Sequence, residues 1–274
     1  MRPSPVLADA FARRADLSPE DLASLAPHVE AGLAELDRGT LRAAYWDGER
    51  WRADEDVKKV VLLSFLTRQS RLGASSPHRP RSFDKHPLKF EDWGEPEFTE
   101  AQIRIVPGAV VRHGAYVARG AVLMPCFVNI GAYIGQGTMI DTWATVGSCA
   151  QIGARCHVSG GAGIGGVLEP LGDVPVVIED DVFIGARSEI AEGVWVRSGA
   201  VIGMGVFLGR STPIVDRASG DVVYGTVPEN AVVVPGARAD PRRPELSVYA
   251  AVIVKYVDER TRAKTALNEL ARHR

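Results

Sequence analysis

The chain has 274 residues, and its 32 Lys and Arg nearly balance 34 Asp and Glu, for a formal charge of −2. That balance argues against a protein that coats nucleic acid or a membrane surface, and 46% hydrophobic against 24% charged residues suits a globular chain with a sizeable core rather than a disordered one. No run approaches the roughly 18 consecutive apolar residues of a membrane helix, and the start, MRPSPVLADAFARRAD, lacks the apolar stretch of a secretory signal, so a cytoplasmic protein is expected.

In chain order, residues 1–100 read as a helical N-terminal domain. Helical spacing runs through LADAFARRA, PEDLASLAPHVEAGLAELDRG and DVKKVVLLSFLTRQ, and Ser18-Pro19-Glu20 has the form of a helix start, with Ser18 as cap and Pro19 in the first helical position. Residues 73–96, with repeated Ser, Pro and His, read as an extended connection.

From Ile105 the period becomes six. Aliphatic residues recur at Ile105, Val111, Val117 and Leu123, then after a slip at Ile134, Ile140, Val146, Ile152, Val158 and Ile164. Past a second slip the series resumes at Ile178, Ile184, Ile190, Val196, Ile202, Leu208 and Ile214, which makes 17 positions. Four residues after nearly every one stands a small or β-branched side chain, Phe127 and Leu168 being the exceptions, and glycine often follows directly, as at Gly135, Gly153 and Gly185. Six residues fit neither a 3.6-residue helical period nor simple β alternation, but they suit one short strand plus one turn on each side of a β-solenoid. Seventeen sides make roughly six three-sided coils, a prism on the order of 27 Å long at strand spacing. The solenoid is expected over 101–240, and a C-terminal strand (Leu246 to Val257) and closing helix (ERTRAKTALNELARHR) over 241–274.

Within the repeat some residues stand out. Asp141 occupies the slot after an aliphatic position where glycine is commonest, although Glu179 and Arg197 share that kind of slot, so a solvated turn residue is an equal reading. Glu189 lies where Gln151, His157 and Trp195 lie in their own hexapeptides, and pattern alone does not distinguish it. His157 is either a general base or a turn residue, and the other histidines show no metal-ligand spacing. GAGIGG at Gly161 falls inside the six-residue register and opens no helix, which excludes a dinucleotide loop. Cys126, Cys149 and Cys156 form no C-x-x-C pair and read as small buried residues.

Longer blocks carry more. KKVVLLSF from Lys58, FDKHPLKF from Phe83, VLMPCFVNIGAYIGQGTMIDTWATVGSCAQIG from Val122, HVSGGAGIGGVLEP from His157, FIGARSEI from Phe183 and YAAVIVKYVDERTR from Tyr249 resemble bacterial tetrahydrodipicolinate N-succinyltransferases from end to end. The resemblance implies a mainly β fold, a homotrimer of left-handed parallel β-helices with active sites between subunits. It further implies transfer of succinyl from succinyl-CoA to the amine of a tetrahydropyridine dicarboxylate in its hydrated, ring-opening form, within a ternary complex and with no metal or permanent cofactor. The hand comes from the resemblance alone, since crossovers between parallel strands are usually right-handed.

The resemblance carries the family's site aspartate onto Asp141 and a partner carboxylate onto Glu189, together binding and deprotonating the acceptor amine. Arg104 matches a substrate-binding position; read bare, it is more often an ion-pair partner. Arg187, two residues before Glu189, is a weaker candidate for a substrate carboxylate. For CoA the expected surface is Met204 to Ser211 with the C-terminal strand, naming Gly205, Arg210, Ser211 and Lys255, the cations being equally readable as solvated side chains; the loose fit of ARADPRRPEL leaves these contacts open. Rivals are an enzyme of the same fold that acetylates this acceptor or acylates a sugar, and a noncatalytic solenoid that binds a protein.

Overall fold

The structure, a computed structural model, describes residues 5–73, 82–258 and 261. The expected closing helix lies outside them apart from Thr261, whose backbone N–H and hydroxyl both reach the Asp258 carboxylate at 2.7 Å.

Of the four helices among the described residues, three sit where apolar spacing puts them, α1 (Pro5–Ala12), α2 (Pro19–Asp37) and α3 (Glu55–Thr67); α4 (Glu95–Ala101) is additional. Ser18 caps α2 through its hydroxyl, which accepts from the Asp21 N–H at 3.1 Å, while the Asp21 carboxylate accepts from the Ser18 N–H at 3.0 Å. That reciprocal pair satisfies two donors the first turn would otherwise leave open. The α2 stripe of Leu25, Val29, Leu33 and Leu36 packs on Val57, Val60, Val61 and Leu63 of α3, and this small core reaches Ile130 and Cys149 of the solenoid. A hairpin the spacing did not announce, Ala44–Trp46 with Trp51–Ala53, follows α2.

The solenoid is built of two-residue strands joined by corners, stacked on three faces in parallel register. The second and third faces are six-stranded; the first continues into the C-terminal strands to make ten. The aliphatic residue of each strand points inward, so that Ile134, Ile140, Val146, Ile152 and Val158 are fully buried. At most corners the third residue after the aliphatic takes a left-handed backbone, as at Gly137 (φ 66°), Trp143 (φ 61°) and Arg187 (φ 58°). The residue directly after the aliphatic lies hard against the next coil: a Cβ on Gly135 would stand 2.3 Å from the Gly153 carbonyl.

Three departures from simple spacing have structural causes. The first slip falls at Pro125, where one corner is a residue short, so Val128 is the buried aliphatic and Cys126 the small inward residue, while Phe127 points outward. The second is an extension over 166–176, tied down by Lys58 of α3, whose buried Nζ donates to the Asp173 carbonyl at 2.5 Å and to that of Pro170 at 3.4 Å. Ile214 leaves the coil to pair with Ala251 of the C-terminal strand, and Val227 takes the slot above Val196 instead. All three cysteines are buried, and burial pushes each thiol up to about 12.

His86, buried against α3, has Nε2 3.1 Å from the Ser64 hydroxyl, which itself donates to Val61, and Nδ1 3.2 Å from the Arg68 guanidinium. The ring is therefore neutral, with Nδ1 as acceptor. Burial, then Arg68 and Arg112, lower its pKa from 6.5 to about 4. A depressed histidine gives stability that is full above its unfolded value and lost as pH falls toward the folded one. The thermal midpoint is expected to fall as pH drops from 6.5 to 4, and His86→Gln to flatten that slope; a wild-type slope retained in the variant would show that other groups dominate.

Candidate active site

The edge between the first and second faces gathers most of the expected residues. Asp141 directly follows the strand Met139–Ile140, and its Oδ1 accepts from the Thr142 N–H at 2.6 Å and from the Thr142 hydroxyl at 3.2 Å. Its Oδ2 lies 3.7 Å from Nε2 of His157, which stands on the next coil above Met139. Phe183, one coil further, packs edge-on against His157 at 5.1 Å between ring centroids. Asp141 is about one-third exposed, and its Oδ2, near the partly buried imidazole, accepts no hydrogen bond among the described residues. Arg104 opens the same outward column at the first coil, half-buried, two strands below Met139.

Glu189 and Arg187 sit higher on the same edge and lean downward. Glu189 begins a second-face strand in register with Gly163, which is in register with Thr145 in the coil of Asp141. A Cβ added to Gly163 would stand 2.2–2.3 Å from the Glu189 carboxylate oxygens, so that carboxylate lies flat on the glycine. Arg187 lies the same way over Gly161, where a Cβ would meet its guanidinium at 2.8 Å. The glycines of GAGIGG are thus the floor beneath two charged side chains. Glu189 starts two rungs above the coil of Asp141, roughly 10 Å along the axis at strand spacing, and among the described residues no hydrogen bond or ion pair joins the two.

The expected CoA residues do not form one patch. Gly205 is on this edge, one coil above Arg187, with a left-handed backbone (φ 68°) and open space around it, next to a largely exposed Met204. Arg210 and Ser211 lie on the following edge, where Arg210 donates to the Asp173 carboxylate at 3.2 Å and the Glu192 carbonyl at 3.3 Å. Lys255 lies on the C-terminal strand and pairs with Asp258 at 2.8 Å. Spacing also passed over Trp143, 71% exposed, and Phe207, which stands above Glu189 against Tyr249 of the C-terminal strand. Their signal was a bulky side chain in a left-handed corner slot and an aromatic on an outward column.

Among the described residues no group of three or more His, Cys, Asp and Glu side chains is placed to hold a metal, and no helix is long and apolar enough to cross a membrane. An edge with an accessible carboxylate, a second carboxylate and a guanidinium can bind a cationic or neutral amine and take up its proton.

Comparison with known proteins decides the family. Residues 5–67 match the tetrahydrodipicolinate N-succinyltransferase N-terminal family, 131–166 the bacterial transferase hexapeptide, and 175–210 the hexapeptide repeat of succinyl-transferase. The chain is 54% identical over 268 residues, 96% of itself and 95% of the relative, to 2,3,4,5-tetrahydropyridine-2,6-dicarboxylate N-succinyltransferase of Methylobacterium sp.. It belongs to the tetrahydrodipicolinate N-succinyltransferase family. The solenoid is accordingly the family's left-handed parallel β-helix. The same enzyme of Bradyrhizobium diazoefficiens is 54% identical over 270 residues (96% of this chain, 95% of the relative), and Protein TabB of Pseudomonas amygdali pv. tabaci, a name that states no reaction, is 67% identical over 267 residues (97% of each).

Gly163→Ala tests the leaning geometry. The glycine backbone is one an alanine can adopt, so thermal unfolding should stay within a few degrees of wild type while the methyl displaces the Glu189 carboxylate. Turnover of the acyl-transfer reaction is expected to fall about 10- to 100-fold, the usual scale for a misplaced reacting group; unchanged turnover would remove Glu189's position from the account.

Proposed function

We infer that the chain transfers the succinyl group of succinyl-CoA to the amine of hydrated, ring-opening tetrahydrodipicolinate, giving N-succinyl-2-amino-6-oxopimelate and free CoA, in the diaminopimelate and lysine pathway. The observation that carries this reading is end-to-end likeness to enzymes named for this reaction, with helical N-terminal part and repeat both matched. Succinyl-CoA is a co-substrate, and the chemistry needs no permanently bound cofactor.

The proposed roles follow from the edge. Asp141, with one oxygen held by Thr142 and the other open, accepts the ammonium of the acceptor and removes its proton. Asp141 passes that first proton to solvent, and the neutral nitrogen attacks the thioester carbon; as the N–C bond forms and the C–S bond breaks, the nitrogen sheds its second proton, which goes to the departing thiolate. Glu189 completes the amine pocket. Arg104 and Arg187 grip carboxylates with the planar fork suited to that group. Gly205 and its neighbours give the acyl donor a thin backbone to approach, and Arg210, Ser211 and Lys255 line the outer part of the donor path.

We further propose a homotrimer whose neighbouring chains each complete a site. The two-rung offset of Glu189 from Asp141 supports this, because a carboxylate from an adjoining chain removes the need to span it. So do exposed Phe127, Trp143, Met204 and Phe207, an apolar set on the second face and its edge that a second copy would cover. The chain acts in the cytoplasm, where acyl-CoA is available.

Release of CoA thiol with tetrahydrodipicolinate or L-2-aminopimelate, run with succinyl-CoA and acetyl-CoA side by side, is the test. Acceptor-dependent release with strong preference for succinyl-CoA is expected, and acetyl-CoA preference would overturn the donor. Asp141→Asn and Glu189→Gln are each expected to lower kcat by about 10²- to 10⁴-fold, the range for losing a general base or its partner, with the oligomer intact by light scattering. Wild-type kcat in either would remove that carboxylate from the chemistry.

A further inference from the structure

A second groove lies at the opposite edge, between the third and first faces. It has a volume of about 630 Å³, within the range of small-molecule pockets. It is closed on one side by the hairpin that follows α2, and its lining includes Arg42, Trp51, Tyr116, Arg119, Gly135 and Asp180. None of these belongs to the acyl-transfer edge.

Arg42 is the central group. Its guanidinium stacks on Tyr133, 3.9 Å from the ring centroid, with Trp51 on another side at 5.8 Å. Its Nε donates to Oε1 of Gln151 at 2.8 Å. Gln151 is fully buried, and its own amide N donates to the Cys149 and Ala150 carbonyls, which turns its oxygen toward Arg42. The arginine is therefore aimed by a buried amide and an aromatic face, and no carboxylate among the described residues comes within ion-pair distance of it. Burial lowers its pKa from the ordinary arginine value, with Tyr133 and Asp180 opposing.

The other groups divide unevenly by charge. The Trp51 indole N–H is buried and has no acceptor among the described residues. Arg119 donates to Gln102 at 2.9 Å and pairs with no described carboxylate. The acidic residues here are already satisfied: Glu179 accepts from the Trp195 indole and from the Ser198 N–H and hydroxyl, and Asp180 accepts from the Ala154 N–H and lies 3.4 Å from Arg155. What the groove leaves to a ligand is donors and cations, beside flat aromatic and glycine-backbone surface.

We propose that this groove is a second ligand site of the chain, taking a small organic carboxylate with a flat or aromatic body. The carboxylate is gripped by the Arg42 fork and the Trp51 N–H, and the body lies against Tyr116 and the backbone at Gly135. A bidentate guanidinium beside an indole donor matches a planar carboxylate better than a tetrahedral anion.

Calorimetric titration of the full-length protein with 3-phenylpropionate tests this, with 3-phenylpropanamide and inorganic phosphate as companion probes. Saturable binding at one ligand per chain is expected, at least about 10-fold weaker in Arg42→Gln and in Trp51→Phe, which keeps an aromatic ring but loses the N–H, and unchanged in Arg104→Gln. The amide should not bind, and CoA release by the two groove variants should match wild type. No saturable binding by the wild-type protein, equal affinity for the amide, tighter binding of phosphate, wild-type affinity in Trp51→Phe, or loss in Arg104→Gln would each overturn the proposal. Should Arg42→Gln fail to fold, Trp51→Phe alone still decides.

Discussion

Everything in this molecule depends on the parallel stacking of one short coil directly on the next. At strand spacing a side chain on a corner has room only where the adjoining coil gives it up. Most positions resolve this by packing inward, which builds the aliphatic core, or by having no Cβ, as at Gly135 under Gly153. Where the chain must carry charge on an edge it does both at once: Gly161 and Gly163 are bare so that Arg187 and Glu189 of the coil above can lie on them. The edge proposed for acyl transfer is therefore a consequence of coil spacing, with the recipient glycines as much a part of it as the side chains they hold.

A second constraint is the join between helices and solenoid, which is made by buried cations. Lys58 of α3 donates to carbonyls of the 166–176 extension, and Lys89 reaches both the carbonyl and the carboxylate of Asp37 at 2.8 Å. That same Asp37 accepts from the Gly114 N–H at 2.9 Å, so the last residue of α2 is anchored to a corner of the solenoid. Breaking one partner of such a pair leaves a buried charge unanswered, which costs about 3–5 kcal/mol where burial is complete. The third face, where α2 and the hairpin sit, is thereby held as a fixed wall, and the wall is what gives Arg42 and Trp51 their orientation.

The solenoid was legible because its period is carried by inward aliphatics, whose burial leaves them no other choice. Glycine was harder to read, since two different slots favour it for different reasons. The slot after each aliphatic is a close approach to the neighbouring coil, whereas the slot two residues later needs a left-handed backbone, and Trp143 and Arg187 fill the second kind despite their bulk. Asp141 could be noticed from the first slot and its contact with Thr142 is local, but its approach to His157 depends on which residue the next coil brings overhead, and a hexapeptide period does not announce that. The Pro125 corner misled the count by one residue, turning Phe127 from an apparent core exception into an outward side chain. The hairpin and α4 are too short to carry a periodic signal, and the Arg42 groove is made by contacts between distant parts of the chain, Arg42 meeting Gln151.

The central claim is that Asp141 and Glu189 serve one amine from two different chains. Asp141→Asn and Glu189→Gln proteins, each inactive alone, should be unfolded together, refolded as mixed oligomers and assayed for succinyl-CoA thiol release. If every site draws one carboxylate from each of two neighbours, random mixing makes one site in four intact, and about a quarter of wild-type activity returns. Mixed oligomers, verified by mass, that regain nothing above their parents would place both carboxylates in the same chain and contradict the account.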